Sequence, residues 1–223
     1  MNITDNLNKI KSTLPKDVTL VAVSKTKPVS DLMETYNAGQ RIFGENKIQE
    51  MVDKYEEMPK DIQWHMIGHV QRNKVKYMAE FVNLIHGVDS LKLLKEINKR
   101  AKGYDRVIDC LIQIKIAEED SKFGISAKDA TALLNSEEFS KLNNIKIVGV
   151  MGMATFTDDM KQVEKEFKFL KFTFEALKDI EASNCKMKTV SMGMSGDYEL
   201  AIDCGSTMVR IGSSIFGERN YNN

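Results

Sequence analysis

Cysteine and proline are scarce, with three of each in 223 residues. Cys110, Cys185 and Cys204 are odd in number and too widely spaced for a zinc knuckle or a thioredoxin-type pair, so they are expected to be buried thiols in a reducing compartment. With so little proline and no Gly/Ser-rich or like-charge block, nothing reads as a linker, and residues 1–223 are expected to form a single domain. Net charge is also absent: Lys plus Arg and Asp plus Glu each total 32. That balance argues against nucleic acid or an anionic membrane as a partner. No apolar run is long enough to span a bilayer, and the N-terminal residues lack the apolar stretch of a signal peptide, so a cytoplasmic location is expected.

What is present is an ordinary globular composition, 42% apolar and 29% charged, arranged as an alternation. Apolar, β-branched runs that read as strands open near Val18, Arg41, Gln63, Leu84, Arg106, Ile145, Lys188 and Met208. Between them lie amphipathic patterns such as Leu91, Leu94, Ile97 and Ala101, or Val163, Phe167, Leu170, Phe174 and Leu177, whose spacing gives one apolar stripe per helix. Ile3, Leu7, Ile10 and Leu14 predict an additional N-terminal helix ended by Pro15. Repeated strand–helix units make a parallel sheet, either open or closed. Eight of them favour an α/β architecture closed as a (β/α)8 TIM barrel. The alternative, an open doubly wound sheet, lacks its glycine fingerprint after the first strand.

Barrel enzymes build their sites at the C-terminal ends of the strands, and the chemically distinctive residues fall there. Lys25 closes the apolar run Leu20 to Ser24, where desolvation favours a neutral amine able to form an imine with a carbonyl. A single lysine at a strand end also fits a snorkelling side chain, so context must decide. Gly212, Ser213 and Ser214 follow the eighth strand, and Ser191, Gly193 and Ser195 follow the seventh. These are the usual phosphate-binding loops of a barrel, although glycines and serines also serve simple turns. Arg210 precedes Gly212 on the strand itself. A buried guanidinium needs an acceptor, and a carboxylate such as Asp203 or Glu218 is the structural candidate. His65 and His69 alternate onto one strand face without an evident third ligand, which argues against zinc and leaves them as core or rim residues. Met151, Met153, Met192 and Met194 are expected to pack the barrel mouth.

Across Ala22 to Pro28, Phe43 to Asn46, Ile67 to Lys74, Ser191 to Ser195 and Val209 to Gly212, the chain resembles the pyridoxal phosphate homeostasis proteins, with a match extending over residues 1–220. The resemblance implies a barrel similar to the N-terminal domain of bacterial alanine racemase. It implies pyridoxal 5'-phosphate as cofactor, held as a Schiff base on Lys25, with its phosphate on Ser195 and the Gly212 and Ser213 backbone, and Arg210 facing the pyridine nitrogen. Asn46, Met153 and Ser191 complete the implied cofactor-binding set. An arginine at the ring nitrogen weakens the ring as an electron sink. Racemase activity is not expected: Lys122 stands in the stretch Ser121 to Gly124 where racemases carry an arginine, Met153 replaces a ring-packing histidine, and the tyrosine-bearing C-terminal domain of the racemase has no counterpart. The third-strand loop has His69 where the homeostasis proteins often have proline.

The expected function is therefore non-catalytic: a monomer that keeps free pyridoxal phosphate low and passes it to dependent apo-enzymes. The rival reading is a racemase- or decarboxylase-like enzyme using Tyr198 or His69 as acid/base. A phosphosugar lyase, sharing the lysine and the phosphate loop, is the third.

Overall fold

The computed structural model describes residues 2–118 and 123–218. In chain order the elements are α1 (Ile3–Thr13), β1 (Thr19–Val23), α2 (Val29–Asn37), β2 (Ile42–Glu45), α3 (Ile48–Glu57), β3 (Gln63–Met66), a 3-10 turn (Arg72–Tyr77), β4 (Val82–Val88), α4 (Leu91–Lys102), β5 (Ile108–Gln113), α5 (Ala127–Leu134), α6 (Glu137–Ser140), β6 (Ile145–Met151), α7 (Met160–Lys178), β7 (Cys185–Ser191), α8 (Tyr198–Asp203), β8 (Met208–Ile211) and α9 (Ser213–Phe216). All strand pairings are parallel, and β1 pairs with both β2 and β8, so the sheet closes into a barrel.

Each predicted strand is present, within three residues of its expected start. The largest displacement is β7, expected from Lys188 and beginning at Cys185. There the exposed Lys186 and Lys188 flank the buried Met187, so one apolar residue in an otherwise polar start conceals the strand.

The barrel wall sorts side chains by the two-residue period of a strand. Val21, Val23, Ile67, Leu84, Leu111, Val148, Met151 and Met208 form one buried cluster inside the barrel. The intervening residues, among them Leu20, Ala22, Phe43, Trp64, Ile85 and Val209, belong to the larger cluster between wall and helices. The helices meet that shell with most of the stripe residues their sequences predict, although in α4 Leu91 is only partly buried and Leu93 is buried instead. In α7, Val163, Phe167, Leu170, Phe174 and Leu177 are all buried, each contributing about 1.5–3 kcal/mol of burial. In α4 the buried residues are Leu93, Leu94, Ile97 and Ala101, behind a Ser90 cap that accepts from the Leu93 amide at 3.3 Å. Asn2 caps α1, which buries Ile3, Leu7 and Ile10 and packs against α9 and α2. Among the described residues no helix is long and apolar enough to cross a membrane.

Candidate functional site

A cavity of about 840 Å³ opens at the C-terminal mouth, and its lining includes Lys25, Asn46, Met153, Ser195, Arg210, Gly212 and Ser213. These residues are separated by almost the whole chain. Strand periodicity brings them together: Lys25 continues the inward positions Val21 and Val23, and Arg210 lies between Met208 and Gly212 on the inward face of β8.

Lys25 is held through its neighbours on the outer side of the wall. The Lys54 ammonium on α3 donates to the Ser24 carbonyl at 2.7 Å, to Glu45 Oε1 at 2.7 Å and to Glu50 Oε1 at 2.8 Å. Glu50 in turn accepts from the Thr26 amide at 2.5 Å, and the Ser24 hydroxyl donates to Glu45 Oε1 at 2.6 Å. The main chain is thus gripped on both sides of Lys25, and Thr26 is turned into the left-handed region at φ 65°. Glu45 is completely buried. Burial pushes its carboxyl up to about 7, against the opposing pull of Lys54 and Ser24.

Arg210 is only 4% exposed. Its Nη1 donates to Ser191 Oγ at 2.6 Å and its Nη2 to the Gly152 carbonyl at 3.1 Å. The carboxylate expected from the sequence, Asp203 or Glu218, is not its partner; a hydroxyl and a main-chain carbonyl satisfy it instead. Burial draws the guanidinium down to about 10, with Asp197 opposing, so it stays a cation at neutral pH. Ser191 is fully buried behind Arg210 and does not line the cavity.

Between β7 and β8 the backbone forms an oxygen-accepting cradle. The Gly212 and Ser214 amides both donate to Ser195 Oγ, at 3.2 and 3.4 Å. Glycine at 212 eases this close approach, since a Cβ would lie 3.1 Å from the Val23 carbonyl oxygen. Gly193, at φ +95°, makes the turn that lets its carbonyl accept from the Arg210 amide at 2.9 Å. Amides converging on one oxygen are suited to an anion. With Lys25, Lys27 and Arg210 against Glu218 in the lining, the mouth favours a negatively charged ligand.

The rim is apolar and aromatic. His69 stacks on Phe123, ring centroids 4.1 Å apart, and its Nδ1 is 3.7 Å from Asp89 Oδ2. Met153, Phe156 and Met194 also face the cavity. The loop after β6 is fixed by buried Glu166, which accepts from the Thr155 amide at 2.7 Å and hydroxyl at 2.6 Å.

Several expectations are corrected. Tyr198 does not reach the cavity: its hydroxyl lies 3.3 Å from Thr13 Oγ1 and 3.2 Å from Glu199 Oε1. Met151 packs inside the barrel, whereas Met192 points outward into the shell. Cys110 and Cys204 are buried, but Cys185 only partly. Ser121 and Lys122 lie outside the described residues. Sequence reasoning also missed Gln113, which lines the cavity and donates to the Phe123 carbonyl at 3.2 Å. It ends the inward series Asp109, Leu111 and Gln113, and a polar residue closing an apolar strand was its signal. Among the described residues no group of three or more His, Cys, Asp and Glu could hold a metal.

The family model for the alanine racemase N-terminal domain matches residues 1–220. The chain is 40% identical over 207 residues to the pyridoxal phosphate homeostasis protein of Pasteurella multocida, covering 92% of this chain and 88% of that one. It is 36% identical over 211 residues to the same-named protein of Escherichia coli K12, covering 93% and 88%. Among solved structures it is similar to PipY of Synechococcus elongatus PCC7942 with pyridoxal phosphate bound, at 32% identity and a TM-score of 0.87 over 96% of this chain and 100% of that one. A Clostridium difficile alanine racemase shares the fold, with a TM-score of 0.81 at 18% identity over 99% of this chain and 61% of that one.

Proposed function

For a chain that belongs to the alanine racemase N-terminal domain family, among the pyridoxal phosphate homeostasis proteins, we propose that it is a single-domain pyridoxal 5'-phosphate-binding protein of cellular cofactor homeostasis, working without catalytic turnover. The observation that carries this reading is the convergence of Lys25, the buried Arg210, Ser195, Gly212 and Ser213 on one cavity, with the Gly212 and Ser214 amides fixing Ser195. That donor set fits the cofactor: an amine for the aldehyde, a fixed donor for a ring acceptor, and amides with a hydroxyl for the phosphate.

Lys25 is the residue that would hold the aldehyde covalently as a Schiff base. Ser195, Gly212 and Ser213, with Ser214, would hold the phosphate, and Asn46 and Met153 would flank the ring. Bound pyridoxal phosphate supplies an electron sink, strongest with its ring nitrogen protonated. Arg210, a donor only, opposes that protonation, and Ser191 holds it in place. Restraint of chemistry in a cavity that still captures the cofactor suits a carrier. In the same reading the carrier is a cytoplasmic monomer that hands the cofactor to dependent apo-enzymes.

The test is the near-ultraviolet and visible spectrum of the purified protein, followed by borohydride reduction and peptide mapping. The expected result is an absorbance band abolished by reduction and a pyridoxyl adduct on Lys25, lost in Lys25→Ala. A colourless protein that takes up no added pyridoxal phosphate refutes the reading and leaves the phosphosugar lyase ahead. The racemase-like alternative keeps one structural point in its favour, His69 in the cavity lining near Asp89. Exchange of an amino acid's α-proton in deuterated water would establish it.

A further inference from the structure

Below Arg210 a column of polar side chains runs through the otherwise aliphatic barrel interior. Ser191 Oγ lies 3.1 Å from His86 Nδ1, and His86 Nε2 lies 3.1 Å from His65 Nδ1. His86 is fully buried and His65 is 4% exposed. His65 also lines a second cavity, of about 440 Å³, at the N-terminal mouth beside Gln63, Asp109 and Thr189. Side chains from β3, β4, β7 and β8 therefore form a continuous column from one mouth to the other.

The direction of the column follows from its first member. A guanidinium can only donate, so Ser191 Oγ accepts from Arg210 and its own hydrogen is available to His86 Nδ1. Burial keeps both imidazoles neutral, with His65 drawn down to about 3 and His86 well below its ordinary value. A neutral imidazole has one donor and one acceptor nitrogen. An accepting Nδ1 on His86 places its proton on Nε2, which donates to His65 Nδ1. His65 then carries its proton on Nε2, at the end of the column that borders the polar cavity. The reverse order would leave the Ser191 hydrogen buried without an acceptor.

We propose that His86 and His65 are positioning residues which, through Ser191, form a one-way hydrogen-bond column that locks the Arg210 guanidinium as a donor aimed into the ligand cavity. The consequence is selectivity for a heteroaromatic ring that presents an unprotonated nitrogen. This deepens the pyridoxal phosphate reading and rests on it for the ligand, but the column can be examined without any cofactor.

The decisive experiment is nitrogen-15 NMR of the full chain, labelled at histidine and arginine, at neutral pH without pyridoxal phosphate. In the wild type, His86 and His65 are expected to be protonated on Nε2 and unprotonated on Nδ1, with the Arg210 Nη signals separately resolved because rotation is blocked. In His86→Leu those Nη signals should merge. In His86→Gln, whose amide can both accept from Ser191 and donate to His65, they should stay resolved. With cofactor added, His86→Leu should weaken binding by about tenfold, the scale of one hydrogen bond to a charged group, and His86→Gln should restore most of it. A proton on His86 Nδ1, or Nη signals that remain resolved in a folded His86→Leu protein, overturns the proposal. If His86→Leu does not fold, the wild-type tautomers and the Gln variant decide alone. A wild type with the expected tautomers that binds no pyridoxal phosphate refutes the functional reading and not the column.

Discussion

Lys25 and Arg210 line the same cavity, yet the groups that position them lie on opposite faces of the barrel wall and reach them through different atoms. The Glu45–Lys54–Glu50 cluster sits outside the wall against α3 and grips the main chain at Ser24 and Thr26. The His65–His86–Ser191 column lies inside the barrel and grips the Arg210 side chain itself. The outer cluster is ionic and the inner column is built of neutral groups. The difference suits the tasks that the proposed function gives the two residues. A lysine whose amine forms a bond is best placed through its backbone, whereas an arginine that only donates can be fixed by its own guanidinium. Each support also uses the chemistry its surroundings permit, since charges are tolerated where several oxygens converge, and uncharged imidazoles cost less in a closed barrel.

Three perturbations bear on this contrast, from the largest effect to the smallest. Lys54→Met leaves Glu45 buried without its cation and should destabilise the fold by about 3–5 kcal/mol, measured by urea unfolding. It should also lower the yield of borohydride-fixed adduct on Lys25 while leaving the His86 tautomer unchanged. A change in that tautomer would mean that the two supports are one network.

Glu45→Gln should alter the pH dependence of stability. Burial raises the folded-state pKa of Glu45 from 4.5 to about 7. Its contribution is therefore fully present below about pH 4.5 and is lost as pH rises through about 7, at up to about 1.4 kcal/mol for each pH unit. His65 has the opposite sign: its folded-state pKa is depressed from 6.5 to about 3, so its contribution falls as pH drops below about 6.5. Both proteins share that histidine term, and the wild-type stability minus that of Glu45→Gln should fall with rising pH across the window. A pH-independent difference would remove Glu45 as the titrating member.

Tyr198→Phe touches neither support. It loses hydrogen bonds on the protein surface, and stability should change by no more than about 0.5 kcal/mol, with cofactor uptake unaltered. Loss of an amino-acid exchange activity in this variant would return Tyr198 to the site and favour the enzyme reading.

The fold was largely legible from the sequence because eight apolar runs and the stripes between them follow periods of 2 and 3.6. Lys25 and Arg210 were legible because a charge interrupting or ending an apolar strand is conspicuous. Their supports were not. His86 is one polar residue within the apolar run of β4, and only barrel closure brings it beside Ser191, 105 residues later. Lys54 and Glu50 are an i,i+4 pair on a helix, which in sequence looks like a solvated face, yet Lys54 is only 5% exposed. The partner of Arg210 was sought among carboxylates because pairing rules favour charge. Its acceptors are the uncharged Ser191 hydroxyl and the Gly152 carbonyl, and the second, being main chain, leaves no sequence signal.

The seam of the barrel has its own consequence. β1 and β8 are neighbours, and the Asn6 side-chain amide donates to the Ile215 carbonyl at 3.1 Å, joining α1 to α9. Lys25 thus lies on one lip of the closure and the Gly212 cradle on the other. During synthesis the first lip leaves the ribosome long before the second exists, and contacts so distant in sequence form late. A truncated or half-folded chain would present an amine without its cradle, so capture of the ligand would report that the ring has been joined.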